Sequence, residues 1–141
     1  MTFERSTDYA LIREILVEPR CYRRMTGVRS QESGVRIELD VGPRDGIEFV
    51  LARADDGAPT AVFLIVAGVD VHFCFVPAFW GRTEATARGF IAWCWAETVY
   101  KLLHGHVPVH NRLALQLAQR VGFTEYGRTS EHVLLEIRKP K

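Results

Sequence analysis

The chain has 141 residues, 48% of them hydrophobic and 25% charged, with 18 basic side chains against 17 acidic ones and a formal charge of +1. That composition belongs to an ordinary globular domain able to bury a core without metal or disulfides, so residues 1–141 read as one domain. It lacks the positive field with which nucleic-acid binders gather phosphates, and no apolar run reaches the roughly 20 residues of a membrane span, so neither partner is expected.

The charged start, Met1 to Arg5, has no signal-peptide apolar run behind it, which makes the cytoplasm the expected location. Residues 6–17 carry Tyr9, Ile12 and Leu16 at three- and four-residue spacing after a possible cap at Ser6 or Thr7, the pattern of an amphipathic helix. A short second helix is expected over residues 19–25, with a basic patch of Arg20, Arg23, Arg24 and Arg29, followed by a Gly-, Ser- and Gln-rich loop over 27–34. Four strands are predicted next, over 35–41, 46–54, 59–67 and 69–76, separated by turn signals such as Gly42-Pro43 and Asp55-Asp56-Gly57. They suggest an antiparallel meander. The third is apolar on both faces and belongs at the centre of a sheet covered on each side. The fourth alternates, with Val69, Val71, Phe73 and Phe75 on one face and Asp70, His72, Cys74 and Val76 on the other.

After Pro77 the period changes to about 3.6. A helix is predicted over 83–103, with Ala87, Phe90, Ile91, Cys94, Trp95 and Thr98 as its packing stripe. A strand over 104–109 follows, then a helix over 111–121 capped by Asn111 and ended by Gly122-Phe123, and two strands over 123–128 and 132–138. The class is α+β. Cys21, Cys74 and Cys94 are odd in number and far apart, and read as reduced, mostly buried apolar side chains. His104 and His106 share a strand face and His110 follows, but no carboxylate or thiol stands at a matching spacing, so no metal site is expected. Trp80, Trp93 and Trp95 read as core packing, with Trp80 available to line a pocket.

The most informative stretch runs from Phe75-Val76-Pro77 through Trp80-Gly81-Arg82-Thr83-Glu84-Ala85 into the long helix. A strand-to-helix junction offers backbone N–H groups and the positive end of a helix dipole to an anion. About 30 residues downstream stand Asn111-x-x-Ala114-x-x-Leu117 and then Val121-Gly122-Phe123. Together these segments resemble the GNAT superfamily of acetyltransferases, from about Gly46 to the C-terminus, and are similar also to the small GNAT-like proteins often encoded by bacteriophages.

The resemblance implies a GNAT-like fold, with a mostly antiparallel mixed sheet splayed between the fourth and fifth strands and flanked by helices. It implies acetyl-CoA as co-substrate and an amine acceptor, either a small molecule or a protein. Gly81, Arg82, Thr83, Glu84 and Ala85 would then hold the pyrophosphate, Asn111 would add a polar contact, and a backbone N–H near Phe75 or Val76 would polarise the thioester while the pantetheine arm paired with that strand's free edge. Trp80 stands where the family has Gln or Arg, and Thr83 replaces the first loop glycine, its hydroxyl still able to cap the helix. Arg82 and Arg88 offer compensating charge. Ala118 occupies the position of a tyrosine general acid, a role left to Tyr126 or another donor.

An alkylamine with a pKa of about 10.4 must lose a proton before it attacks, and His72 is the first choice of base, with Asp70 on the same face. Taken without the resemblance, His72 reads first as a histidine satisfied by a neighbour, Asp70 as a turn residue and Asn111 as a helix cap. The expected function is N-acetylation of a primary amine by direct attack in a ternary complex. The alternative is a non-catalytic binding or assembly module of the same fold. Exposed strand edges and the C-terminal hairpin make a homodimer an expectation as well.

Overall fold

The computed structural model describes residues 1–18, 20, 41–43 and 45–141. In chain order they form β1 (Thr2–Arg5), α1 (Tyr9–Leu16), β2 (Ile47–Arg53), β3 (Pro59–Val66), β4 (Asp70–Phe75), a 3-10 helix (Pro77–Arg82), α2 (Thr83–Glu97), β5 (Leu102–Pro108), α3 (Arg112–Arg120), β6 (Thr124–Arg128) and β7 (His132–Arg138). The strands make one sheet in the order β1-β2-β3-β4-β5-β7-β6, antiparallel throughout except where β4 meets β5. The second helix predicted over 19–25, the loop over 27–34, Cys21, and the strand over 35–41 up to residue 40 lie outside the described residues, apart from Arg20.

The two-faced apolar run of β3 explains the layering. Val62 points into a cluster with Ile12, Ile15 and Leu16 of α1, while Phe63 points the other way, into the main core under α2 and α3. Phe63 is fully buried, with its ring stacked on Phe90 at 4.0 Å and edge-on to Phe73 and Phe75. The alternation predicted for β4 holds: Val71, Phe73 and Phe75 face that core, and Cys74 and Val76 face the α1 side. The predicted stripe of α2 is also in place, with Ala87, Phe90, Ile91 and Cys94 buried. Burial pushes the Cys94 thiol up to about 12, which keeps it an inert packing group.

Two elements differ from the sequence reading. The N-terminus contributes β1, which pairs with β2 at the sheet edge and sends Phe3 against Gly89, where a Cβ would lie 2.8 Å from the ring. Four residues are too few for alternation to register as a strand. The helix predicted over 83–103 stops at Glu97, because Thr98 turns extended and its hydroxyl both donates to the Cys94 carbonyl at 2.6 Å and accepts from the Tyr100 amide at 3.1 Å. Leu102 and Leu103 therefore belong to β5, where Leu103 enters the core. Beyond this turn the Tyr100 hydroxyl binds the Glu48 carboxylate, which also accepts from Arg5 at 2.9 Å, tying β1 and β2 to the α2–β5 connection.

At the far end of the fold Gly122 adopts φ +111°, the left-handed stop expected after α3, and Asn111 accepts the Ala114 amide at 3.2 Å as the predicted cap. Phe63→Ala is expected to cost about 3–5 kcal/mol, seen as a lower urea midpoint at unchanged slope. Asn111→Ala is expected to cost roughly 1 kcal/mol in the same experiment.

Candidate functional site

β4 and β5 meet at one position, Asp70 opposite His104, where the His104 amide donates to the Val69 carbonyl at 2.8 Å. Past that point β4 follows β3 and β5 follows β7, each in continuous register, and the two half-sheets diverge. The Val76 amide donates to the Thr60 carbonyl at 2.8 Å, so the even positions of β4 bond to β3. By alternation the backbone N–H and C=O groups of Phe73 and Phe75 are directed into the gap.

The gap is the floor of a cleft of about 350 Å³ walled by the start of α2 and by α3. Of the residues singled out in the sequence, His72, Phe75, Thr83, Glu84 and Asn111 line it; Asp70, Val76, Gly81, Arg82 and Ala85 do not. Four details depart from the sequence reading. The Val76 amide, bonded to Thr60, is not a donor to the cleft, which leaves Phe75 as the one of the two whose N–H points there. Thr83 is the first helical residue rather than the cap; Arg82 stands at the cap position without a side-chain capping bond, and the Thr86 hydroxyl donates to its carbonyl at 2.9 Å. Arg88 is engaged by Glu84 at 3.5 Å and by the Arg120 carbonyl, whereas Arg120 itself lines the cleft. Tyr126 lies outside the lining, half exposed against His104, while Ala118 lines the cleft where a tyrosine was missing.

Trp80 lines the cleft without closing it, and its indole N–H donates to the Phe75 carbonyl at 3.1 Å. Arg20, the one described member of the predicted basic patch, lies over the Trp80 ring at 5.8 Å and pairs with Glu18 at 2.8 Å. Sequence reasoning missed the face of α3 made by Leu113, Gln116 and Arg120, which line the cleft together with Leu117. The signal was available, since these positions follow the helical three-and-four spacing from the Asn111 cap.

His72 is half-buried on the α1 side of β4, its ring edge-to-face with His106 at 5.1 Å. Burial holds its pKa below histidine's ordinary value; the neighbouring His106 lowers it further, and Asp70 partly offsets both. The imidazole is thus biased towards its neutral, proton-accepting form. Among the described residues, no group of three His, Cys, Asp or Glu side chains is arranged to hold a metal ion, and no helix is long and apolar enough to cross a membrane.

The chain matches no family model and no curated protein. Its fold is similar to solved structures. AAC(6')-Ib in complex with parmomycin and acetyl-CoA aligns at TM-score 0.74 with 15% identity, over 97% of this chain and 92% of that one. Spermidine N-acetyltransferase from Vibrio cholerae, solved with CoA and spermine, gives 0.73 and 11% over 98% and 95%. The N-acetyltransferase PseH of Campylobacter jejuni gives 0.67 and 14% over 99% and 98%. With its splayed β4–β5 pair and near-complete overlap with these enzymes, the chain has the GNAT acetyltransferase fold.

Proposed function

We propose that this protein is an acetyl-CoA-dependent N-acetyltransferase that transfers an acetyl group to a primary amine, of a small molecule or a protein, by direct attack in a ternary complex. The observation that carries the reading is the gap between β4 and β5, with its inward-directed backbone groups and the neutral-biased His72 on its border. The cleft's volume is in the ordinary range for small-ligand sites, and a chain carrying amides such as pantetheine suits the edge of a strand that borders a cleft. Two of the solved structures of similar fold were determined with acetyl-CoA or CoA bound, which supports the same ligand here.

Bound there, acetyl-CoA would supply an activated acyl group. The residues of this chain do the rest. In this reading the Phe75 N–H stabilises charge growing on the thioester oxygen, Thr83 at the start of α2 and Arg120 hold the phosphates, and His72 takes the proton that an ammonium must lose; all four residues line the cleft. A departing thiolate whose conjugate acid resembles cysteine, with a pKa of about 8.5, leaves without a strong acid, so Ala118 in place of a tyrosine does not bar the reaction.

A second reading, a non-catalytic binding module, is favoured by one observation: the Trp80 indole already occupies the Phe75 carbonyl beside the path of the arm. Thermal melts with and without CoA, combined with release of free thiol from acetyl-CoA over an amine panel, separate the two. On the enzyme reading, ligand at 100 times its dissociation constant stabilises the fold by about 2.7 kcal/mol, and thiol is released; stabilisation without thiol release from any amine supports the module.

His72→Gln is expected to lower turnover by about 10²–10⁴ while CoA binding persists. In the native protein the acid limb of the pH–rate profile is expected below histidine's usual pKa of 6.5, because activity is lost as falling pH protonates an imidazole whose pKa is depressed. Arg120→Glu is expected to weaken CoA binding by about tenfold or more, read by calorimetry, since it replaces a favourable charge beside the phosphates with a repulsive one.

A further inference from the structure

His72, His106 and His132 stand on three neighbouring strands, β4, β5 and β7, and on the same side of the sheet. On β5 the alternate residues Leu103 and Val107 face the α2–α3 core, and on β7 Val133, Leu135 and Ile137 do so, which leaves His106 and His132 on the α1 side with His72. The His72 and His106 rings are edge-to-face at 5.1 Å and 84°; His106 and His132 repeat the arrangement at 5.5 Å and 82°. His72 and His106 both line the cleft, the first half-buried and the second exposed.

We propose that His106 receives the acceptor's proton from His72 and delivers it to solvent, with His132 as the next ring of the same file. The proposal rests on the acetyltransferase reading above. The protons balance as follows. The ammonium of the acceptor gives one proton to His72, which becomes imidazolium; His72 passes it to His106, directly or through one water, and His106 releases it to buffer. The neutral amine then forms its C–N bond as the C–S bond breaks, and its second proton leaves with the CoA thiol. One proton reaches solvent for each acetyl group transferred.

The direction of transfer follows from burial. A charge on half-buried His72 is disfavoured, and an exposed imidazole beside it is hydrated. The surroundings supply Asp70 on the strand of His72 and Glu136 against His104, which lies outside the file. His72 has Asp70 and Cys74 on its own strand, Leu64 opposite on β3, and His106 with His104 on β5. His106 has Leu134 opposite on β7 with His132 beside it, and His104, two residues away, faces Glu136 at 3.7 Å and Tyr126 of β6 at 5.3 Å. Among the described residues, no charged side chain of α1 pairs with either ring.

The test uses the full chain with acetyl-CoA and whichever amine the panel identifies. His106→Ala and the milder His106→Gln are expected to lose roughly tenfold in turnover with the KM for acetyl-CoA unchanged, and their acid limb is expected to move to higher pH, because the ring that disfavours charge on His72 has been removed. Added free imidazole should restore turnover of His106→Ala and leave the native rate alone. Retention of the native thermal shift with CoA confirms that each variant is folded. A native pH profile and native turnover in His106→Gln, or a deficit in His106→Ala that imidazole does not relieve, overturns the relay. Absence of a CoA shift and of thiol release in the native protein instead overturns the acetyltransferase reading itself.

Discussion

Everything at the site follows from the point where two half-sheets part company. Asp70 and His104 hold β4 and β5 together for a single pair, while β4 keeps its register with β3 and β5 with β7 along their lengths. Strands twist relative to their neighbours by a fixed hand, so two such blocks joined at one corner separate. Backbone polar groups that face the gap need partners, and an indole N–H supplies one of them to the Phe75 carbonyl. The corner is therefore where the two half-sheets part and where the cleft begins.

The packing on either side keeps that corner rigid. Phe63 and Phe90 stack through the centre of the main core, with Phe73 and Phe75 edge-on to Phe63, so the strand that borders the gap is fixed by aromatic contacts on its α2–α3 face. α3 is placed by its Asn111 cap and by the Gly122 stop, and it presents Leu113, Gln116 and Arg120 to the cleft from one face. The polar residues of the site are thus carried on elements whose other faces are core.

How much of this the sequence disclosed depended on the kind of signal. The strong alternation of β4 placed His72 and Asp70 on one face, and the α3 cap and stop were legible because each is a local rule involving a few adjacent residues. Features that depend on distant partners were not legible. β1 shows itself only by pairing with β2, and the end of α2 at Thr98 was hidden by the apolar Leu102-Leu103, which serve a strand as well as a helix. The Val76 amide looked available until Thr60 was seen across from it. His104 and His106 were noticed as neighbours along β5, but the rings that bracket His106 come from β4 and β7, and no spacing in the chain announces that.

Trp80 has one more consequence. Its indole spans the carbonyl end of β4 on one side and lies beneath the guanidinium of Arg20 on the other. Any molecule settling along β4 must alter the electric field and the hydration around that ring, and the ring is bonded to the strand itself. Trp93 and Trp95 pack against the main core on α2 and do not line the cleft. Trp80 is thus an intrinsic optical probe in the lining of the cleft, and its emission is expected to report occupancy without a label.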